Sequence, residues 1–236
     1  MNYILNIYSG NGIQFILIMV TFALSLFAQM WVQNRYAKYK DMLSISQITG
    51  YEVAQRILNN HGINYITVQE NPQGGVLSDH FNPQTNVVNL SREVYHGRTI
   101  ASASIAAHEI GHVLQYHESY GFIALRNKLL PAAMISSQLG WTVLMIGLFA
   151  GLDSLFLIGS IAIAVIGLFQ LVTLPVELNA SSRAINELNT LQIVSPSEVS
   201  DAKGMLNAAA FTYIAAFLGT VATILRLFLM RGSRRK

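Results

Sequence analysis

Apolar positions in this chain gather into long unbroken runs, with short amphipathic periods only between them. Residues 13–32, IQFILIMVTFALSLFAQMWV, hold no charged side chain, and a helix of twenty such residues covers the roughly 30 Å hydrocarbon core of a bilayer. The run predicts a first membrane span, with residues 1–32 as an N-terminal anchor. A cleaved signal peptide is the competing reading; against it, no Lys or Arg stands in the first twelve residues and no small-x-small site closes the run. A second apolar block, Leu129 to Leu174, is too long for one helix and carries the turn residues GLDS at 151–154. It predicts a transmembrane hairpin over 129–175, with spans at 130–150 and 155–174. The last run, Leu206 to Met230, carries Arg226 near its end, from where a long side chain can snorkel towards the headgroups. It predicts a fourth span within 206–236, or else a helix partly packed on the polar part of the chain.

Between the first span and the hairpin, residues 33–128 are polar enough and numerous enough for a compact domain. QITGYEVAQRILNNHGI spaces Val53, Ile57 and Leu58 on one helical face and ends at Gly62, which suits a C-terminal cap. NYITVQE reads as a strand, and VLSDHF and NVVNLS read as two paired strands around the turn NPQT. Ser91 is placed to cap a short helical turn, and Thr99 to cap the helix that follows. These elements predict a mainly α membrane protein with a small β-sheet.

Composition agrees: 52% of residues are hydrophobic and only 11% charged, against about 25% charged in soluble domains. The net charge of +3 comes from segment flanks and the tail RGSRRK, without the basic, aromatic-studded face that nucleic-acid binding asks for. The expected partners are therefore the lipid bilayer and a protein or peptide, with no nucleic acid. Arg35, Lys38, Lys40, Arg126, Lys128 and Arg183 flank the polar segment, and flanking positives favour the cytoplasmic side. The expectation is a bacterial plasma-membrane protein with this segment in the cytoplasm. Four spans put the basic C-terminus outside, against the same rule; an incompletely crossing last helix would reconcile the two.

The chemistry lies in SASIAAHEIGHVLQYHE, residues 102–118. Residues four apart share a helical face, so His108 and His112 can offer their rings to one metal ion. Glu109 is rotated about 100° from His108 and can take the proton of a water activated on that ion, the metalloprotease arrangement. Cysteine is absent, so a zinc ion here must be held by imidazole nitrogen and carboxylate oxygen. The neighbours Ile105, Ala106, Ala107, Ile110, Gly111, Val113 and Leu114 are uncharged, which marks the helix for burial, where His and Glu need partners. Gly111 lowers helix propensity, which a close backbone approach would explain. Three polar residues satisfied by a network in a core is the alternative that these residues leave open.

Catalytic zinc takes three protein ligands and keeps one position open. The extended pattern HExxHxxGxxH fails, because Gln115 and Glu118 stand at its last two positions, and His117 is rotated off the metal face and reads as a surface or interface residue. Glu177, in LPVELNASSRAINEL, follows the hairpin, and two crossings return the chain to the side it left. Asp153, in the hairpin turn, falls on the other side. The stretch 176–205 is thus read as a ligand helix and connection, with Pro175 kinking or starting it. Spacing alone leaves Glu177 open between a metal ligand and an interfacial carboxylate at a helix start.

HEIGH, preceded by SDHFNPQTNVVNLSREVYHGRTIASASIAA and followed by LPVELNASSRA, resembles the YugP-like family of membrane zinc metallopeptidases, from residue 44 to the final span. More distantly it is similar to the HtpX and CAAX-prenyl protease group. The resemblance implies a zincin-like, gluzincin-type core, with Zn2+ held by His108, His112 and Glu177 and with Glu109 as general base. In the HtpX pattern an Asp four residues after the Glu supports a ligating His; here that position is Ser181, so Ser181, Asn179 and Arg183 are the candidate supports. NVVNL is the candidate strand edge for binding an extended peptide. His80 is either an oxyanion donor or a surface turn residue.

Two function classes follow: a zinc endopeptidase acting on membrane or membrane-proximal proteins, and a non-catalytic scaffold with a structural zinc site. The latter would close its zinc with a fourth protein ligand. A transporter is disfavoured by the few polar residues in the spans.

Overall fold

A computed structural model describes residues 10–71, 74–75 and 78–234. The first nine residues of the anchor, Val76 and Leu77 of VLSDHF, and Arg235 and Lys236 of the tail lie outside them. The elements in order are α1 (Gly10–Tyr39), α2 (Gly50–Asn60), β1 (Thr67–Asn71), β2 (His80–Asn82), β3 (Val87–Ser91), α3 (Arg92–His96), α4 (Ile100–His117), α5 (Gly121–Phe149), α6 (Asp153–Thr190) and α7 (Pro196–Arg234). The chain divides into two compact units, one of residues 1–29, 124–174 and 212–236, the other of 30–123 and 175–211.

The first unit holds the apolar helical segments. Helices α1, α5, α6 and α7 are each long and apolar enough to cross a membrane. Their outer faces expose Phe15, Phe22, Phe27, Ile135, Phe149, Ile161 and Phe228, an arrangement that water would penalise and that hydrocarbon accepts. The hairpin turn falls in GLDS, where Gly151 takes φ +70°. Close packing of α5 on α6 relies on missing side chains. A Cβ on Gly147 would strike the Phe156 backbone, and one on Gly159 would come within 2.5 Å of the Leu144 backbone. Small residues at such crossings let helices approach when the hydrophobic effect gives no drive between them.

Two of the expected boundaries change. Pro175 lies inside α6 and starts no separate helix, so Glu177 stands on the same continuous helix as the second hairpin span. The last helix, α7, has 39 residues: Ala202, Met205 and Leu206 near its start are buried in the core of the second unit, and its later part still has the length of a span. An incompletely crossing last helix therefore finds no support in its length.

The second unit is built around α4. Of its residues, Ala101, Ala103, Ala106, Ala107 and Ile110 are at most 1% exposed, and the small alanines let neighbouring elements come close. Helix α2 packs against it through Val53, Ala54, Ile57 and Leu58. A capping box fixes the start of α2: Thr49 accepts from Glu52 N at 3.2 Å, and Glu52 accepts from Thr49 N at 2.7 Å. Gly62, just past its end, takes φ +66°.

The three-stranded sheet has the order β1-β3-β2, with β1 parallel and β2 antiparallel to β3. This corrects the expectation for NVVNL: β3 is the central strand, paired on both sides, and it offers no edge to a peptide. The edges among the described residues are β1 and β2. Alternation sorts the two faces. Val68, Val88 and Leu90 are buried in the core, with Phe81 packed against it. A polar row crosses the other face: Gln69 donates to Asn89 at 2.8 Å, and Asn89 donates to His80 Nε2 at 3.2 Å. Ser91 precedes α3 as expected but makes no cap; its hydroxyl donates to Asp79 at 3.1 Å.

Leu90 is fully buried on the central strand. Leu90→Ala should lower stability by about 2–5 kcal/mol through loss of buried area and a residual cavity, read as a clear fall in the unfolding midpoint of the detergent-solubilised protein; an unchanged midpoint would remove this strand from the core.

Candidate metal centre

Helix α4 is started by Thr99, whose hydroxyl accepts from Ser102 N at 3.1 Å, and it runs unbroken through HEIGH. The rings of His108 and His112 therefore lie one turn apart, edge to face, with centroids 4.8 Å from each other. Helix α6 meets α4 at Gly111. A Cβ there would stand 2.6 Å from the Ala180 carbonyl oxygen and 3.1 Å from its carbon, so the two backbones come this close only because residue 111 has no side chain. Residues on either side of Ala180 are thereby carried to the two imidazoles.

Glu177 is one of them. Its Oε2 lies 3.4 Å from His108 Nε2 and 3.6 Å from His112 Nε2. These separations exceed an ordinary N–H···O bond of about 2.7–3.2 Å. They match the edge of a tetrahedron, about 3.4 Å, for donors each about 2.0–2.2 Å from a shared zinc ion. All three ligand atoms lie within 4.8 Å of one another, and they form the only group of three or more such residues among the described ones. Two imidazoles and one carboxylate are a catalytic zinc set, so the residues fit the ion. Electrostatics point the same way. Burial works against a charge on His112, but the Glu177 carboxylate, followed by the charge of Glu109 and the contact with Gln115, raises its pKa above the ordinary value. A pocket that favours a proton on that ring favours a cation in its place.

Glu109 is 8% exposed and makes no hydrogen bond or ion pair among the described residues, so its carboxylate is free to accept from a water. It faces the field of Asp79, whose own pKa is raised by burial first and by Glu109 after it, against the pull of hydrogen bonds from Ser91. Both histidines have a partner at their second nitrogen. Ser181 Oγ lies 3.2 Å from His108 Nδ1, and Gln115 Oε1 lies 3.0 Å from His112 Nδ1.

Of the expected supports, Ser181 reaches a site histidine directly. Asn179 and Arg183 do not; Arg183 Nε donates to Asn179 Oδ1 at 2.8 Å, and Asn179 Oδ1 accepts from Gln115 at 2.9 Å. Gln115 is the residue that sequence reasoning passed over. In the sequence it stands out only as a mismatch to a longer motif, although a Gln one turn past the second His, after two apolar residues, is a signal in itself. His80 is not brought to the group: Nδ1 donates to the Ser78 carbonyl at 2.9 Å and Nε2 accepts from Asn89 in the polar row. His117 contacts Tyr65, with 3.1 Å between Nδ1 and the hydroxyl.

A buried His-Glu-x-x-His helix joined by a Glu from a second helix, in a chain with four membrane-length helices, is compatible with a membrane zinc metallopeptidase. The chain belongs to the family described as "Putative neutral zinc metallopeptidase", which it matches over residues 14–232. It is 39% identical over 207 residues to the "Putative membrane protease YugP" of Bacillus subtilis (strain 168), covering 88% of this chain and 91% of that one. No solved structure matches it. Zinc is accordingly the cofactor, and His108, His112 and Glu177 are the group that could hold it.

Gly111→Ala tests the crossing. Its Cβ meets backbone that cannot turn aside, so the helices must separate, at a cost of about 1–3 kcal/mol in stability and with weaker zinc binding. Chelator competition on the purified variant checks this; zinc affinity equal to wild type would mean that the close approach does not set the site.

Proposed function

We propose that this protein is a membrane-embedded zinc endopeptidase that hydrolyses peptide bonds of membrane or membrane-proximal proteins. The observation that carries the reading is the convergence of His108 Nε2, His112 Nε2 and Glu177 Oε2 beside a buried, uncommitted Glu109 carboxylate. A zinc ion in that position supplies Lewis acidity, which brings the pKa of water towards neutrality and polarises a carbonyl. His108 and His112 offer neutral imidazole nitrogen, and Glu177 adds one negative charge. Glu109 accepts the proton of the attacking water and delivers it to the leaving amine. A substrate in extended form can add to the free edge of β2, which packs towards α4, with Phe81 and Tyr116 ring centroids 6.0 Å apart.

The scaffold reading requires a fourth protein ligand, as structural zinc sites have. Among the described residues the metal-competent group has three members, which favours the enzyme. Glu109→Gln removes the base and leaves the ligands in place. The variant should retain zinc and lose cleavage, seen as products present in wild-type membranes and missing from those of the variant. A zinc-loaded Glu109→Gln protein with unchanged products would refute the catalytic role.

The catalytic unit is placed on the cytoplasmic side of a bacterial plasma membrane, on the strength of the flanking Arg35, Lys38, Lys40, Arg126 and Lys128. The chain has no cysteine, so a single Asn60→Cys at the exposed end of α2 is a clean reporter. An impermeant maleimide should label it only after permeabilisation; labelling of intact cells would reverse the orientation.

A further inference from the structure

Gln115 lies one turn beyond His112 on α4 and has no exposed surface. A buried amide needs partners at both ends, and this one has three. Its Oε1 is 3.0 Å from His112 Nδ1, and its Nε2 is 2.7 Å from the Val176 carbonyl oxygen and 2.9 Å from Asn179 Oδ1. The direction of the network follows from its outermost member. Arg183 can only donate, so the Asn179 atom 2.8 Å from its Nε is the amide oxygen. Gln115 meets that same oxygen, and the Val176 carbonyl is likewise a pure acceptor; the end of Gln115 that faces α6 must therefore be nitrogen. Its oxygen is left to face His112, and an acceptor at that distance requires the imidazole proton on Nδ1. In the neutral ring the lone pair of His112 then sits on Nε2, the atom turned towards Glu177.

We infer that Gln115, oriented by Asn179 and Arg183, is a positioning residue that holds His112 in its Nδ1–H form with Nε2 directed at the metal. The inference rests on the zinc-site reading of His108, His112 and Glu177. The two histidines differ in this respect. Ser181, the partner of His108 at 3.2 Å, is a hydroxyl that can donate or accept and imposes no tautomer. Only His112 is tied to a chain whose polarity is anchored by a guanidinium. The chain also ties the two helices together: His112 and Gln115 stand on α4, Asn179 and Arg183 on α6, and Arg183 continues it to Glu118, just past the end of α4, at 2.7 Å.

The test uses full-length protein in lipid nanodiscs, with zinc affinity measured by chelator competition and the His112 Nδ1–H followed by NMR in the zinc-loaded state. Gln115→Met keeps the volume and removes the acceptor. Asn179→Leu removes one of the two acceptors that orient Gln115, the one anchored by Arg183, whereas Asn179→Asp keeps an acceptor facing both donors. Gln115→Met and Asn179→Leu should each bind zinc about 10–100-fold more weakly, with a rapidly exchanging Nδ1–H, and Asn179→Asp should stay within about threefold of wild type. Wild-type affinity and a protected Nδ1–H in both Gln115→Met and Asn179→Leu overturn the inference, as does an equal loss in Asn179→Asp and Asn179→Leu. Should Gln115→Met fail to fold, the pair at Asn179, a partly buried position, decides alone. Wild-type protein that binds no zinc overturns the metal reading, and this one with it; zinc binding that is indifferent to the variants overturns this one only.

Discussion

Everything at the site depends on how closely two helices can approach at one point. Gly111 on α4 and Ala180 on α6 bring the backbones to a separation that a single methyl group would prevent. At that separation Glu177 reaches both imidazoles, Ser181 reaches His108, and Gln115 reaches the Val176 carbonyl. A helix can present His108 and His112 to one ion by itself, because four residues make about one turn. The carboxylate that completes the metal-competent group comes from the other helix, and the crossing is what brings it there.

That crossing is placed in an apolar interior, and the placement has a cost. Glu109, Gln115, Glu177 and Ser181 are all buried, and an unpaired carboxylate in such a place is strongly unfavourable. The surrounding alanines and isoleucines give these groups an apolar setting, while the polar groups meet one another along definite lines: Glu177 beside the two histidines, Gln115 with Asn179 and His112. A divalent cation at the centre would offset the charge of Glu177 without consuming Glu109. The burial that makes the polar set expensive also strengthens any electrostatic interaction made inside it.

The spans, the hairpin turn at Gly151, the helix end at Gly62, the cap at Thr99 and the helical HEIGH face were readable because each is written in neighbouring residues: unbroken apolar runs, turn residues, a capping residue before a periodic segment. Glycine at position 111 already hinted at a close contact. Strand order was not readable, since β1 pairs with β3 across an intervening β2, and nothing local in NVVNL separates a central strand from an edge. Pro175 could start a helix or kink one, and α6 continues through it. The part played by Gln115 was hidden for a related reason. Its partners Val176 and Asn179 are more than sixty residues away, on a helix that the chain reaches only after α5 and the first part of α6.

The most direct test of a metal centre shared by two helices is the zinc affinity of Glu177→Ala in the full-length protein. The chain leaves the second unit after Ile123 and returns to it at Pro175, so this substitution removes the one member of the metal-competent group contributed from α6 and leaves HEIGH intact. Zinc binding should fall by several orders of magnitude while the fold, judged by circular dichroism, persists. Affinity equal to wild type would mean that α4 holds the ion without α6, and would contradict the account.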